Sequence, residues 1–197
     1  MSDRLSHFLA RILRHDARQK GLEVSPEGYV DVEEILNLHE VNTFTKEDVR
    51  TVVHKDRKGR FKLQTISGEL KIKATQGHTM KLSANDLTPI NHYSEARVVL
   101  HGTRKCNWES IKEKGLSRQK RTHIHFAQGE HGQKSGFPPY CDIAIEIDLR
   151  RALDDGIKFY KSENEVILSP GNASGCIPKK YFKKAYHIRT RDDLSLE

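Results

Sequence analysis

Phe61-Lys62-Leu63-Gln64-Thr65-Ile66-Ser67-Gly68-Glu69-Leu70-Lys71-Ile72-Lys73-Ala74 is the stretch on which the fold turns. Its apolar residues recur at spacing two, Phe61 and Leu63 and then Leu70, Ile72 and Ala74, on either side of Ser67-Gly68. Residues two apart share one face of a strand, and a two-residue turn ending in glycine joins antiparallel strands, so the stretch predicts a β-hairpin. What precedes it has a helical period. Leu5, Phe8, Leu9, Ile12 and Leu13 follow the i, i+3, i+4, i+7, i+8 rule, giving a first helix with a Ser2 cap that stops near His15. After a turn at Pro26-Glu27-Gly28, a short second helix runs through Val32, Ile35, Leu36 and Leu38. A third begins at Thr45, has Asp48 as an imperfect capping box, and buries Val49, Val52 and Val53. Three helices followed by a hairpin is the order of a winged-helix module, which usually contacts nucleic acid.

Beyond the hairpin the pattern changes. We expect the first lobe to occupy 1–88, a linker 89–96, and a second lobe 97–197. Strand signals recur there at 97–101, 123–127, 141–149 and 164–169, with a helix at 107–115 closed by Gly115. The fold class is therefore α+β. In Arg121-Thr122-His123-Ile124-His125-Phe126, alternation turns Ile124 and Phe126 into a core and leaves His123 and His125 on the other face. His101-Gly102-Thr103 ends the run Arg97-Val98-Val99-Leu100, and a strand end opening into a loop is a common place to hold a ligand.

Composition bounds the partners. Of 197 residues 36% are hydrophobic, enough for real cores. The net charge of +7 and pI near 9.3 favour an anionic partner such as nucleic acid or a phosphorylated ligand. Cys106, Cys141 and Cys176 are odd in number and widely spaced, which argues against a disulfide framework or a zinc ribbon and for a reducing compartment. Charges at Asp3, Arg4, Arg11 and Arg14 interrupt the N-terminal apolar residues, so no secretory segment or membrane span is expected. We read the protein as intracellular, cytoplasmic or nuclear, without a membrane partner, and as a monomer.

Each chemical candidate has a plainer counterpart. Arg14 and His15 at a helix end can simply satisfy the last carbonyls, and Arg57-Lys58-Gly59-Arg60 can be a solvated turn. Gln76-Gly77-His78-Thr79 can be a turn too, although glycine lets a backbone approach a ligand closely and Gln and His supply donors. His123-x-His125 with His101 or His78 is a known metal spacing, but no carboxylate or Cys at short spacing completes a shell, so no metal is expected. Pro170-Gly171-Asn172 is most simply a turn.

In this order, Leu13-Arg14-His15, Lys58-Gly59-Arg60-Phe61, Gln76-Gly77-His78, His101-Gly102-Thr103 and Arg121-x-His123-x-His125 closely resemble the NAD-dependent RNA (tRNA) 2′-phosphotransferase family. The resemblance runs from about Leu5 to Ile188 and includes Val166 to Asn172. It implies a winged-helix lobe for RNA and a second lobe similar to ADP-ribosyltransferases. It also implies a reaction. The internal 2′-phosphate of RNA, such as spliced tRNA, attacks the anomeric carbon of NAD⁺ and expels nicotinamide. The ribose 2″-hydroxyl then attacks phosphorus, giving 2′-OH RNA and ADP-ribose 1″,2″-cyclic phosphate. NAD⁺ is thus a co-substrate.

The family's catalytic Arg-His-Arg-Arg set falls on Arg14, His15, Arg60 and Arg121. Guanidiniums are permanently charged forks that match phosphoryl oxygens, which suits a step that gathers negative charge on phosphorus. The resemblance further places His101, Gly102 and Thr103 in the NAD⁺ pocket, with His78, His123, His125 and Asn164 as additional candidates. Two departures stand out. Many relatives carry Gly-Met-Arg where this chain reads Gly136-Phe137-Pro138, removing a cation, and Lys73 replaces an Arg of some relatives. The alternatives are an ADP-ribosyltransferase that stops after the first step and a non-enzymatic winged-helix RNA-binding protein.

Overall fold

The computed structural model describes residues 2–80, 82, 87–130 and 137–197, with the Ser2 side chain also outside the description. The expected Ser2 cap and the Ser135-Gly136 position therefore lie outside the described residues. The chain is mixed α+β and divides into two compact units, 1–86 and 87–197, each with its own apolar core.

The first unit opens with helix α1 (Ser2–Arg11), which continues into a π-helical turn over Ile12–Asp16. Leu5, Leu9, Ile12 and Leu13 are buried, as the period requires, while Phe8 of the same stripe is half-buried. Strand β1 (Val30–Asp31) and helix α2 (Val32–Leu36) follow, and the Asp31 carboxylate caps α2 by accepting from the Glu33 and Glu34 amides at 2.7 and 3.3 Å. Helix α3 (Lys46–Lys55) carries a complete capping box. Thr45 Oγ1 accepts from the Asp48 amide at 3.2 Å while Asp48 accepts from the Thr45 amide at 2.8 Å, a motif worth about 1 kcal/mol.

The hairpin is present as β2 (Phe61–Ile66) and β3 (Glu69–Ala74), in register from Phe61↔Ala74 to Ile66↔Glu69. Ser67 and Gly68 both have positive φ, 53° and 85°, the geometry of the type I′ turn that matches strand twist. The two residues of β1 pair with Ile72 and Lys71 on the outer side of β3, so the sheet order is β1-β3-β2.

The second unit is built from antiparallel sheets. Its elements are β4 (Thr88–Ile90), β5 (Leu100–Thr103), α4 (Trp108–Lys114), β6 (Leu116–Ser117), β7 (Ile124–Phe126) and β8 (Ile143–Ile147). They continue with α5 (Leu149–Asp154), β9 (Phe159–Lys161), β10 (Ile167–Ser169), β11 (Cys176–Ile177), β12 (Phe182–His187) and β13 (Asp193–Leu194). One sheet runs β4-β9-β10-β7, a second β13-β12-β8-β5, and β11 pairs with β6. Leu100 and Ala127 exchange backbone hydrogen bonds of 2.9 and 2.8 Å, tying β5 to the end of β7 and so joining the two larger sheets.

Each expected strand and the helix occur with moved ends: β5 starts at Leu100 rather than Arg97 and β10 at Ile167 rather than Asn164, and in the first unit α2 stops at Leu36, short of Leu38. The stretch 89–96, read as a linker, holds most of β4, which pairs with β9, and a 3₁₀ turn at Tyr93–Glu95. The three cysteines are free thiols. Among the described residues no helix is long and apolar enough to cross a membrane, and no cluster of three or more His, Cys, Asp or Glu side chains could hold a metal ion.

Candidate functional site

In the first unit, the π-helical turn delivers Arg14 and His15 to the loop that follows β3. Leu13 is buried and anchors the turn, so its two successors are held at the half-buried rim. The Thr79 amide donates to the Arg14 carbonyl at 3.0 Å, and the Thr79 hydroxyl lies 3.1 Å from His15 Nδ1. That hydroxyl also points at the Arg14 carbonyl, 3.4 Å away, which can only accept. The Thr79 oxygen therefore accepts from His15 Nδ1–H, making Nε2 the basic nitrogen of the ring.

Gly77 completes this corner. Its φ is +87°, and a Cβ built there would meet Arg14 Nε at 3.2 Å. The glycine in Gln76-Gly77-His78 thus admits the Arg14 side chain, whereas the sequence suggested approach to a ligand. Gln76 and His78 on either side are buried.

Arg60 stands just before β2. Its Nε donates to Asp56 Oδ1 at 2.9 Å and its Nη2 to Ser6 Oγ of α1 at 3.0 Å, and the guanidinium lies 5.3 Å from the Phe61 ring centre. The Asp56 carboxylate is 3% exposed. It also accepts from the Arg60 amide, so both ends of Arg60 are fixed by one buried acid. A guanidinium held this way keeps its orientation without spending entropy when an anion arrives. Lys73 is buried, its ammonium 5.0 Å from the Tyr29 ring.

In the second unit a cleft of about 530 Å³ opens between β5, α4, β7 with its His125, and the bend before β7 that holds His123. His101, Thr103, Arg121, His123 and His125 line it, while Gly102 and Asn164 do not, and His78 belongs to the first unit. His101 Nδ1 faces the His125 carbonyl at 3.0 Å, so Nδ1 carries the proton and Nε2 is an acceptor. Burial pushes His101 below the ordinary histidine value, the bond to the His125 carbonyl works against this, and Arg121 lowers it further. Burial and then Arg118 likewise lower His123, whose ring stands edge-on to Tyr160 at 6.0 Å. Both rings are therefore neutral near pH 7.

Arg121 Nη1 lies 3.5 Å from His125 Nδ1. Its neighbour Arg118 was not singled out in the sequence. Arg118 Nη1 donates to the Arg121 carbonyl at 2.6 Å, and the Arg118 amide donates to Gly175 at 3.0 Å. Gly175 has a φ of +75°, and a Cβ there would sit 2.5 Å from Arg118 Nε. The turn expected at Pro170-Gly171-Asn172 lies just after it: Pro170 and Gly171 are irregular, and the chain turns over Ala173-Ser174, where Asn172 Oδ1 accepts from the Ser174 and Cys176 amides, each at 3.0 Å. Asn107, Ser110, Lys114, Ser117, Arg118 and Gln119 complete the polar lining. Asn107 Nδ2 donates to Thr103 Oγ1 at 3.3 Å.

Gly102 faces the other side of its sheet. A Cβ there would meet Cys141 Sγ at 2.9 Å and Phe137 at 3.0 Å. Asn164 caps the β9–β10 turn, where its Oδ1 accepts from the buried Ser162 hydroxyl at 2.7 Å.

The sequence matches the family described as RNA 2'-phosphotransferase, Tpt1 / KptA family, over residues 1–171. It is 45% identical to tRNA 2'-phosphotransferase 1 of Mus musculus, covering 98% of this chain and 80% of that protein. The protein of the same name from Homo sapiens is 43% identical, covering 98% of this chain and 79% of its own length. That of Danio rerio is 40% identical, with 94% and 86% covered.

Proposed function

This chain belongs to the RNA 2′-phosphotransferase family and is an enzyme of that type, and from that premise we propose that it removes an internal 2′-phosphate from RNA, such as spliced tRNA, with NAD⁺ as co-substrate. When bound, NAD⁺ supplies an anomeric carbon with nicotinamide as leaving group, and the products are nicotinamide, 2′-OH RNA and ADP-ribose 1″,2″-cyclic phosphate. The fold reading that goes with it is a winged-helix lobe for residues 1–88 and an ADP-ribosyltransferase-like lobe for 97–197.

The observation that carries the reading is the cleft of the second unit, with a neutral His101 whose Nε2 is an acceptor and with Arg118 and Arg121 on the same wall. A dinucleotide presents ribose hydroxyls that need acceptors and a pyrophosphate that needs cations, and this donor set fits both. His101 accepts a ribose hydroxyl, Thr103, His123 and His125 orient the sugar, and Arg118 holds the pyrophosphate. Gly102 serves by letting Phe137 and Cys141 pack against β5, which fixes the strand that presents its neighbours.

Arg14 and Arg60 neutralise the RNA 2′-phosphate, each held in place by protein partners. His15, with Nδ1–H committed to Thr79, moves a proton at Nε2. Arg121 adds positive charge where the phosphoryl group is transferred. A pure ADP-ribosyltransferase would have less need of this set of cations. The reading is tested by incubating the protein with RNA bearing one internal 2′-phosphate, with and without NAD⁺, and weighing all products. NAD⁺-dependent release of ADP-ribose cyclic phosphate is the expected result. ADP-ribosylated RNA as the end product would overturn it in favour of the one-step transferase, and RNA binding without turnover would favour a binding protein.

A further inference from the structure

Two side chains of β5, His101 and Thr103, line the cleft. They lie opposite the buried Ile145 and Ile143 of β8, so both stand on one face of the sheet. Their hydrogen-bonding characters are opposite. His101 Nδ1–H is committed to the His125 carbonyl, which leaves Nε2 as an acceptor. The direction of the Thr103 hydroxyl is set by another residue, Asn107.

Thr103 is 6% exposed. Asn107 Nδ2 lies 3.3 Å from Thr103 Oγ1, and an amide nitrogen can only donate, so the hydroxyl oxygen accepts there. The other end of the amide agrees with this orientation, since the Cys106 thiol donates to Asn107 Oδ1 at 3.7 Å. Thr103 therefore keeps its own proton for a different partner. Among the described residues no acceptor meets that proton. A buried hydroxyl proton left unmet is costly, and the cleft that Thr103 lines is where a ligand oxygen would meet it.

Asn107 stands at the rim, held by a turn of its own. A 3₁₀ turn over Lys105–Asn107 follows β5, and the Asn107 amide donates to the Arg104 carbonyl at 3.0 Å. The Asp142 carboxylate accepts from the Lys105 amide at 3.0 Å, while the Asp142 amide donates to the Thr103 carbonyl at 2.9 Å. One residue thus ties the end of β5 to the turn that carries Asn107. Trp108, next in the chain, is buried in the core and anchors the start of α4.

We propose that Asn107 is a positioning residue for NAD⁺, acting through Thr103. By donating to Thr103 Oγ1 it turns the hydroxyl proton into the cleft, so β5 presents an acceptor at His101 and a donor at Thr103. Alternate residues of a strand stand about 7 Å apart, a span that one ribose bridges when it gives a hydroxyl proton to His101 and takes one from Thr103 on a second oxygen. This order fixes which way round the sugar lies. The inference rests on the reading of the cleft as the NAD⁺ site.

Asn107→Asp keeps the size of the side chain but turns a donor into an acceptor, so Thr103 would donate to the carboxylate and offer the ligand only lone pairs. NAD⁺ binding is measured by calorimetry on the full chain for Asn107→Asp and Asn107→Ala, each with Thr103 and with Thr103→Val. The kcat/KM for NAD⁺ in 2′-phosphate removal extends the series to variants that bind too weakly for calorimetry. With Thr103 present, Asn107→Asp should weaken NAD⁺ about tenfold and Asn107→Ala about threefold, the effects of one hydrogen bond misdirected or merely released. With Thr103→Val the two should come together, each within about twofold of Thr103→Val alone. Thr103→Ser should restore the difference between them that Thr103→Val abolishes. An Asn107→Asp loss of the same size in both backgrounds would mean added charge and not hydroxyl direction, and would overturn the inference. So would unchanged affinity in both Asn107 variants. A wild type that fails to bind NAD⁺ would remove the reading of the cleft and this inference together, whereas NAD⁺ binding with additive effects removes the inference alone.

Discussion

The two units hold their polar groups by different means. In the first, charged side chains are positioned by short-range chain geometry: a π-helical turn for Arg14 and His15, a glycine with φ of +87° beside Arg14, a buried Asp56 gripping both ends of Arg60. In the second, neutral imidazoles are positioned by strands, with His101 bonded to the His125 carbonyl across a strand pair and lowered in pKa by burial. The contrast teaches that fixed charge tolerates a half-exposed rim, where partners cancel its cost, whereas a hydrogen-bonding His is kept neutral by taking it out of water. The first arrangement suits a phosphate and the second a sugar.

The comparison breaks most sharply at Arg60. Arg60→Ala should lower the rate of 2′-phosphate removal by about 10²–10³-fold, as loss of one positioned donor to a developing oxyanion does, in a steady-state assay with saturating NAD⁺. It also strips a partner from the Asp56 carboxylate, so a thermal melt should show destabilisation on the order of 1–3 kcal/mol. A wild-type rate in this variant would remove the phosphate role from the first unit.

Gly77→Ala sharpens the same point without touching a charge. The methyl would press on Arg14 and would impose a left-handed conformation on alanine, costing about 1–2 kcal/mol. We expect the turnover rate to fall roughly tenfold, the effect of an error of about 1 Å being up to 10²-fold, with NAD⁺ affinity unchanged. Turnover equal to wild type would show that Arg14 need not be held there. Gly175→Ala is its counterpart in the second unit. Its Cβ would displace Arg118, so NAD⁺ binding, read by calorimetry, should weaken while affinity for 2′-phosphorylated RNA holds.

The smallest effect is on pH dependence. His101 and His123 have folded pKa values below the usual 6.5. As pH falls through about 6.5 the unfolded chain takes up protons that the folded chain still refuses, so stability falls with pH and levels off below the folded values. Melting temperature should therefore drop between about pH 7.5 and 5.5, and drop less in His101→Asn. An identical pH slope in that variant would mean that His101 titrates alike folded and unfolded.

What could be read from the sequence follows the range of the interactions. Thr45 with Asp48, the Ser67-Gly68 turn and the alternation at Ile124 and Phe126 are local, and the structure has all three. The two-residue β1 was not legible, because Val30 and Asp31 are strand only by pairing with Ile72 and Lys71, some forty residues away. Nor was the π-helical turn, since its hydrogen-bond shift leaves the burial of Ile12 and Leu13 unchanged. In the site, His101, His123 and His125 stood out by the strand pattern, while Arg14, His15 and Arg60, which alone read as a helix end and a solvated turn, were marked only by the resemblance of the short motifs. Arg118 did not stand out, because what marks it is its contact with Gly175, set by the pairing of β6 with β11.

The central claim, that Arg14 serves the phosphate and His101 the dinucleotide, is tested most directly by calorimetric titration of NAD⁺ into wild type, Arg14→Ala and His101→Ala. The account predicts wild-type NAD⁺ affinity for Arg14→Ala and clearly weakened binding for His101→Ala, while both lose turnover. Equal loss of NAD⁺ affinity in the two variants, or full affinity in His101→Ala, would contradict it.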